Sequence, residues 1–293
     1  MSEHAFIPKV EKIIDAARAG GRNTLFEHEV YAVLAVLGLA APVHVFARDP
    51  AEITRETLAA FPGDRVVLKI AAPEVAHKQK AGGVRIVYRD PDFIRYSAGE
   101  MLRSFADRGV RAAGFLLVEY VPYSQELGNE ILIGFRESES FGPVLSFSKG
   151  GSDAEHFARN FSAPNVILPP AGREWAMALL SSTKIQEKYL AEGRTGCIGR
   201  IADALVKLSA LSTAFSNFFP GPSRHVLSEF EINPFVFDER GRFVALDGWA
   251  GFAYKDPEPA DLQVGAKRSL KAFFEPEGIA VVGVSSSDPG KPG

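Results

Sequence analysis

The chain has 293 residues, of which 46% are hydrophobic, and a net charge of −3 with acidic and basic residues interspersed. This length allows one large domain or two small ones, and the charge balance does not indicate a nucleic-acid or membrane partner. The single cysteine, Cys197, excludes a disulfide within the chain, and the sequence has neither a signal-peptide pattern nor an apolar run near the roughly 20 residues of a membrane span, so we expect a cytosolic protein.

The N-terminal segment predicts two amphipathic helices. Apolar residues recur at helical spacing up to Gly20–Gly21, and again up to Gly38, where glycine is typical of a helix C-terminus. The two apolar stripes are Val10, Ile13, Ile14 and Ala17, and Phe26, Val30, Val33, Leu34 and Leu37.

The middle of the chain alternates strand-like and helix-like segments without a regular βαβ pattern. "VHVFA", "RVVLKIA", "VRIVYR", "GFLLVEYVP", "NEILIGFRE" and "GPVLSFS" predict strands, and "AEITRETLAAF" and "DAEHFARNF" predict helices. A further helix begins at Asp90–Pro91, with aspartate as the N-cap, and two or three helices fill residues 173–218. "HVLSEFEINPFVFDERGRFVALDG" predicts a hairpin, and we therefore expect a mixed α/β fold.

Lys69 lies within the apolar strand "RVVLKIA". Burial of an unpaired ammonium group is costly, so such a lysine needs an anionic partner. A bound phosphate oxygen would satisfy it. The alternative is a lysine on an edge strand that points to solvent.

The loop "HKQKAGGVR" follows that strand and combines basic residues with a glycine pair. Gly82 and Gly83 permit close approach of backbone N–H groups to an anion, and Lys80 adds positive charge. His77 is either a phosphate ligand or phosphoryl acceptor, or an ordinary loop histidine. The pattern differs from a P-loop because no G-x-x-x-x-G-K-[ST] motif is present.

The hairpin predicts an oxygen-rich site. A three-residue loop, Glu239–Gly241, with Gly241 in the left-handed conformation, places Asn233 opposite Asp247. Carboxylate and amide oxygens at paired positions suit Mg²⁺, and Glu231 lies one step along the same face. The alternative is a simple Asn–Asp hydrogen bond at a strand end.

Two further carboxylates interrupt hydrophobic strands. Glu119 ends "GFLLVE", and Glu130 lies in "GNEILIG". A purine-nucleotide site needs backbone groups for adenine, which the segment "VEYVP" could offer, and a carboxylate for ribose, which Glu130 could offer. Without more context, exposed positions on a sheet face are an equal explanation.

Taken together, these motifs resemble one family. The order of strand lysine, "HK…GGVR", "LVE", "FGPV…GG" and "EINP…ALD" resembles the ATP-grasp domain of ADP-forming acyl-CoA synthetases of the acetate–CoA ligase type. "KAGGV" and "EINP…LDG" are also similar to the nucleotide-binding β-subunit of succinyl-CoA synthetase. The resemblance covers about residues 25–252, and the tail "FFEPEGIAVVGVSSSDPGKPG" resembles the opening of a CoA-binding domain.

The resemblance implies an ATP-grasp fold of the mixed α/β class, with two lobes and a nucleotide between them. It divides the chain into an N-terminal helix (1–23), an ATP-grasp domain (24–255), a linker (256–275) and the truncated start of a CoA-binding, Rossmann-like domain (276–293).

The resemblance also implies residue roles toward ATP or ADP and Mg²⁺. Glu126 competes with Glu130 for the ribose role, because the segment before Glu130 is longer than in the family. Arg159 stands where relatives carry an acid, which leaves the contacts around Gly150–Gly151 open. The implied roles are phosphate contacts by Lys69, Lys80, Gly82 and Gly83, adenine contacts by Glu119, Tyr120 and Val121, ribose contact by Glu130, Mg²⁺ ligation by Asn233 and Asp247 with Glu231 nearby, and phosphoryl acceptance by His77.

The implied activity is acid + CoA + ATP giving acyl-CoA + ADP + phosphate through a phosphohistidine. The implied partners are the CoA-binding and ligase domains of the same enzyme, fused or as a separate subunit. Two alternatives remain: an ATP-grasp carboxylate–amine ligase, and a nucleotide-sensing regulatory module without turnover.

Overall fold

The computed structural model describes residues 5–72, 81–126, 128–151, 154, 165–255 and 274–278. The chain divides into two compact units, Met1–Lys255 and Asp256–Gly293. Only residues 274–278 of the second unit are described, so the fold below is that of the first. Among the described residues, no helix is both long enough and apolar enough to cross a membrane.

The first unit contains seven α-helices and eleven strands in its described part, with a short 3₁₀ turn at Pro50–Glu52. The helices are α1 (Ile7–Ala19), α2 (Glu27–Val36), α3 (Arg55–Leu58), α4 (Pro91–Ala106), α5 (Arg173–Ser181), α6 (Lys184–Ala191) and α7 (Thr195–Ala214). The strands are β1 (Thr24–Leu25), β2 (His44–Ala47), β3 (Arg65–Ala71), β4 (Val84–Tyr88), β5 (Gly114–Glu119), β6 (Glu130–Ser138), β7 (Gly142–Lys149), β8 (Asn165–Ile167), β9 (His225–Phe237), β10 (Phe243–Ala245) and β11 (Gly248–Tyr254).

The strands form two sheets whose neighbouring strands pair antiparallel. The larger sheet has the order β1-β11-β9-β6-β7-β8, with β10 paired to β9, and the smaller has the order β2-β5-β3-β4. A mixed α/β fold with antiparallel pairs agrees with the prediction.

The larger core lies between the seven-stranded sheet and helices α1, α2 and α7. Its fully buried residues include Ile14 of α1, Leu34 of α2, Leu205 of α7 and Phe230 of β9. The N-terminal helix, predicted as a segment of its own, therefore shares this core.

The smaller core lies between α4 and one face of the four-stranded sheet. Asp90 caps α4 through its Oδ1 atom, which accepts a hydrogen bond from Phe93 N at 2.8 Å, and Pro91 is the first helical residue, as predicted. The alternation of β3 directs Leu68 and Ile70 into this core. Lys69 consequently projects from the opposite face of the sheet.

Several segments differ from the sequence prediction. The helix expected over residues 51–61 is reduced to the 3₁₀ turn and the four-residue α3, because Thr54 caps a new helix start by accepting a bond from Thr57 N at 3.3 Å. Strands β1, β8 and β11 were not predicted. β11 immediately follows the predicted hairpin, and its glycines and alanines lack the alternating pattern of a half-buried strand.

Candidate functional site

Lys69 lies on an interior strand, between β5 and β4, and is 8% exposed. The alternative of a solvent-facing lysine on an edge strand is therefore wrong. Its Nζ atom donates to Glu27 Oε1 at 2.6 Å and to the Leu246 carbonyl oxygen at 2.8 Å. The pair of opposite charges compensates the burial of both groups.

Tyr31 completes this buried network. Its hydroxyl lies 2.5 Å from Glu27 Oε1 and 2.7 Å from the Leu246 carbonyl oxygen. Burial alone would lower the pKa of Lys69, but Glu27 and Asp247 raise it, so the ammonium group stays charged. Burial raises the pKa of Tyr31 well above its ordinary value, and its hydroxyl remains a donor.

The hairpin has the register that the sequence predicts. Gly241 adopts φ +71° and closes the turn by donating to the Asp238 carbonyl at 2.8 Å. Beyond it, Ala245 pairs with Phe235, and Asn233 N donates to the Asp247 carbonyl at 3.1 Å. Asn233 and Asp247 are thus opposite each other, as the hairpin count requires.

The side chains around this pair are predominantly oxygen donors. Asn233 Oδ1 accepts a hydrogen bond from Gly151 N at 2.8 Å. Burial, followed by repulsion from Glu229 and Asp247, raises the pKa of Glu231. Carboxylates crowd this position, which favours a bound cation or a proton.

The turn Gly150–Gly151 links this group to Glu130. Gly150 N donates to the Glu130 carbonyl at 2.9 Å, and Tyr123 donates to Glu130 Oε1 at 2.9 Å. Gly151 has φ +87°, and a side chain there would collide with the Glu130 carboxylate, so glycine is required for this close approach.

Glu126, the competitor for the ribose role, lies elsewhere. It is exposed, and its carboxylate is 3.9 Å from Lys188 Nζ on α6. The structure therefore brings Glu130, and not Glu126, next to the Gly150–Gly151 turn.

The side chain and the backbone N–H of Glu119 both form hydrogen bonds within the protein. Its Oε2 atom accepts from Val43 N at 3.0 Å, its Oε1 atom lies 3.3 Å from Arg242 Nη2, and its own N–H donates to the Val43 carbonyl at 2.7 Å. The side chain and N–H of Glu119 thus anchor the end of β5, and Tyr120 and Val121 follow directly.

The basic loop is described only at its end. His77 and Lys80 fall in residues 73–80, outside the described residues. Gly82 and Gly83 are described, and the Gly83 carbonyl accepts from Ile70 N at 2.9 Å. The glycine pair therefore ends beside the residue that follows Lys69.

Glu27 and Tyr31 were missed by sequence reasoning. Glu27 is the first residue of α2, where an acidic residue is common for helix stability alone. No spacing rule connects it to Lys69, 42 residues away, and only the packing of α2 reveals the contact.

Residues 16–249 match the family of the ATP-grasp domain. The chain belongs to the ATP-grasp family. This membership, with the two antiparallel sheets, confirms the predicted fold.

Curated relatives of this ATP-grasp chain are ADP-forming CoA ligases. The 4-hydroxybutyrate–CoA ligase (ADP-forming) of Nitrosopumilus maritimus is 27% identical over 240 residues, which cover 80% of this chain and 31% of that ligase. The β-subunit of acetate–CoA ligase (ADP-forming) I of Pyrococcus furiosus is 25% identical over 250 residues, which cover 82% of this chain and 97% of the subunit. The chain thus spans less than a third of the first relative and nearly all of the second.

A solved structure has the same fold. The dinucleotide-forming acetyl-coenzyme A synthetase 1 of Ca. Korarchaeum cryptofilum, in complex with coenzyme A, Ca-AMPCP and HgCl⁺, superposes with a TM-score of 0.66 at 23% identity. The match covers 83% of this chain and 99% of that chain.

Proposed function

We propose that this chain is the nucleotide-binding part of an ADP-forming acid–CoA ligase, which converts acid, CoA and ATP to acyl-CoA, ADP and phosphate. The observation that carries the proposal is the meeting of Lys69, Gly151 and the Asn233–Asp247 pair in one site. The curated relatives that cover this region, including a β-subunit of nearly the same extent, are named as ligases of this kind.

Lys69 holds phosphate oxygens in this proposal. An ammonium group has three N–H donors. Contacts among the described residues take two of them, to Glu27 and Leu246. The third is directed to the phosphates, next to the end of the loop that contains Lys80, Gly82 and Gly83.

The nucleoside end lies against Glu119–Val121 and Glu130 in this proposal. Because the N–H of Glu119 is bonded within the protein, adenine contacts fall chiefly to the backbone of Tyr120 and Val121. Glu130, oriented by Tyr123, accepts hydrogen bonds from the ribose hydroxyls. Glu126 is not assigned this role in the proposal, because it is exposed and its carboxylate lies near Lys188.

The residues around Asn233 and Asp247 fit a magnesium ion. Their donors are carboxylate and amide oxygens, which hard divalent cations prefer. The raised pKa of Glu231, caused by burial and by Glu229 and Asp247, indicates negative charge that a cation would relieve. When bound, Mg²⁺ neutralises charge on the phosphates during transfer.

His77 accepts the γ-phosphoryl group in this proposal. A neutral ring nitrogen attacks the γ-phosphorus, a nitrogen–phosphorus bond forms, and the bridging oxygen leaves with ADP. The phosphoryl group then passes to a histidine of the CoA-binding part of the enzyme, either fused to this chain or on a separate subunit. His77 lies outside the described residues, so this role rests on family resemblance.

Calorimetric titration of the chain with ATP, with and without Mg²⁺, tests the proposal. We expect Mg²⁺ to tighten binding of ATP by about tenfold or more, or about 1.4 kcal/mol, and Asp247→Asn to remove most of this difference. Glu239→Gln is the control, because Glu239 is exposed at the loop of the same hairpin. Equal affinity of the unmodified chain for ATP with and without Mg²⁺ would contradict the assignment of the metal pair.

A further inference from the structure

We infer that Glu27 is a positioning residue for phosphoryl transfer, which fixes the Lys69 ammonium group relative to the strand segment that carries Asp247. The inference rests on the proposed function, because it concerns the lysine that holds the phosphates. It adds two residues of α2, Glu27 and Tyr31, to the machinery of the site.

The geometry is a closed set of two donors and two acceptors. Lys69 Nζ contacts Glu27 Oε1 at 2.6 Å and the Leu246 carbonyl at 2.8 Å. The Tyr31 hydroxyl contacts the same two oxygens at 2.5 and 2.7 Å. Both oxygens therefore lie within hydrogen-bonding distance of both donor groups, and a shift of any one group disturbs the other three.

The network is shielded from water. Glu27 is 3% exposed, Lys69 8% and Tyr31 fully buried. Charge-assisted hydrogen bonds at such burial are short and hold fixed geometry. An exposed lysine would instead sample many rotamers and would lose that freedom when a phosphate binds.

The network also connects three elements. Glu27 and Tyr31 lie one turn apart on α2, and Lys69 belongs to the smaller sheet. Leu246 lies between β10 and β11 of the larger sheet, where its N–H donates to the Pro234 carbonyl at 2.9 Å, and it directly precedes Asp247. The position of the ammonium group is thereby set relative to both sides of the proposed metal pair.

A glutamate on a helix also positions a phosphate-binding lysine in another class of enzymes. Protein kinases use a strand lysine paired with a helix glutamate in this way, on a different fold. A carboxylate in this position has a second possible effect, because it could compete with the phosphates for the ammonium group. Positioning predicts slower transfer when the carboxylate is removed, whereas competition predicts tighter ATP binding and equal or faster transfer.

The test is a double-mutant cycle in the complete enzyme, measured as single-turnover phosphoryl transfer from γ-labelled ATP to protein. We expect Glu27→Gln to lower the transfer rate by about 10²-fold, with the concentration of Mg·ATP that gives half the maximal rate changing by no more than about threefold. In the Lys69→Met background, Glu27→Gln should cause no further loss, since a positioning residue acts only through Lys69.

Glu29→Gln is the matched control. Glu29 lies on the same turn of α2, forms an ion pair with Arg22 at 2.6 Å and accepts from Phe26 N at 2.7 Å, but has no contact with Lys69 among those described. It should lower the melting temperature without lowering the transfer rate. Tyr31→Phe is the second variant, which removes one hydroxyl and should slow transfer in the same direction by a smaller factor.

Three results separate the possibilities. The positioning role is overturned if both Glu27→Gln and Tyr31→Phe transfer the phosphoryl group at the wild-type rate. It is also overturned if the losses in rate caused by Glu27→Gln and Lys69→Met are fully additive. Tighter ATP binding with undiminished transfer assigns Glu27 to competition and also overturns it. If the wild-type enzyme itself binds no Mg·ATP and transfers no label, the proposed function fails, and this outcome is distinct from the others.

Discussion

Two buried carboxylates, Glu11 and Glu27, have chemically different partners. Glu27 binds the Lys69 ammonium group inside the proposed site. Glu11 lies on α1, where its Oε1 atom accepts from Ser223 Oγ at 2.7 Å and its Oε2 atom is 2.9 Å from His225 Nδ1. Glu11 therefore joins α1 to β9 and has a structural role.

Glu11→Gln should weaken the fold and reduce its sensitivity to acid. Burial alone would raise the pKa of Glu11, but hydrogen bonds from Ser223, His225 and Arg224 N lower it below its ordinary value of 4.5. The stability from this ionised group is present above pH 4.5 and is lost as the pH falls through the lowered folded-state pKa. We expect a loss of about 1–3 kcal/mol in the free energy of unfolding at neutral pH, and a smaller difference from wild type in acid.

Urea unfolding between neutral pH and pH about 3 measures this effect, across the ordinary carboxyl range. Glu239→Gln, at an exposed loop carboxylate, is the control and should match wild type throughout. If the stability curves of Glu11→Gln and wild type stayed parallel into acid, Glu11 would not be the ionised acceptor described here.

At the scale of elements, strand β3 has two functions. The side chains of Leu68 and Ile70 pack with α4 in the smaller core. The side chain of Lys69 projects from the other face of the strand and contacts Glu27 and Leu246. The position of the Lys69 side chain thus depends on how α4 packs against β3. The hairpin of β9 and β10 also positions site residues, because its register places Asn233 opposite Asp247.

Asp90→Ala should destabilise the smaller sheet through α4. Asp90 accepts from Phe93 N at 2.8 Å, and removal of such a cap costs about 1 kcal/mol. The matched control is Asp92→Ala, because Asp92 lies in the first turn of the same helix but is exposed and bonds only to Arg95 among the described contacts, so about 0.3–0.5 kcal/mol is expected. Urea denaturation compares the two, and equal losses would show that the cap is not the stabilising contact.

At the scale of the whole molecule, the first unit ends at an anchored residue. Lys255 N donates to the Arg224 carbonyl at 2.9 Å, and Lys255 Nζ donates to the Phe219 carbonyl at 2.8 Å. All residues that form the described site belong to this unit, Met1–Lys255. The domain border predicted after residue 255 stays a proposal, as does a CoA-binding domain in the residues that follow.

A chain shortened to residues 1–255 should therefore fold and bind Mg·ATP like the 293-residue chain. We expect melting temperatures within a few degrees, about the change caused by less than 1 kcal/mol, and dissociation constants for ATP within about threefold. Thermal unfolding followed by circular dichroism and titration calorimetry measure the two quantities. A loss of more than about tenfold in affinity would show that residues 256–293 take part in the site.

The sequence alone determined the features that depend on local order. The start of α4 follows from Asp90–Pro91, and the opposition of Asn233 and Asp247 follows from counting back from the turn at Gly241, because capping and hairpin register are short-range properties. The sequence predicts that Lys69 lies on a strand, but it does not predict that Glu27 is its partner.

Only the tertiary structure decided which distant groups meet. It placed Glu27 on Lys69, 42 residues away, and Gly151 N on Asn233, 82 residues away. It also brought Glu130 rather than Glu126 to the glycine turn. Periodicity shows which face of a helix or strand is buried, but the residue that it contacts depends on how helices and sheets pack together. The sequence therefore predicts which kinds of side chain form the site, whereas their contacts follow only from the tertiary structure.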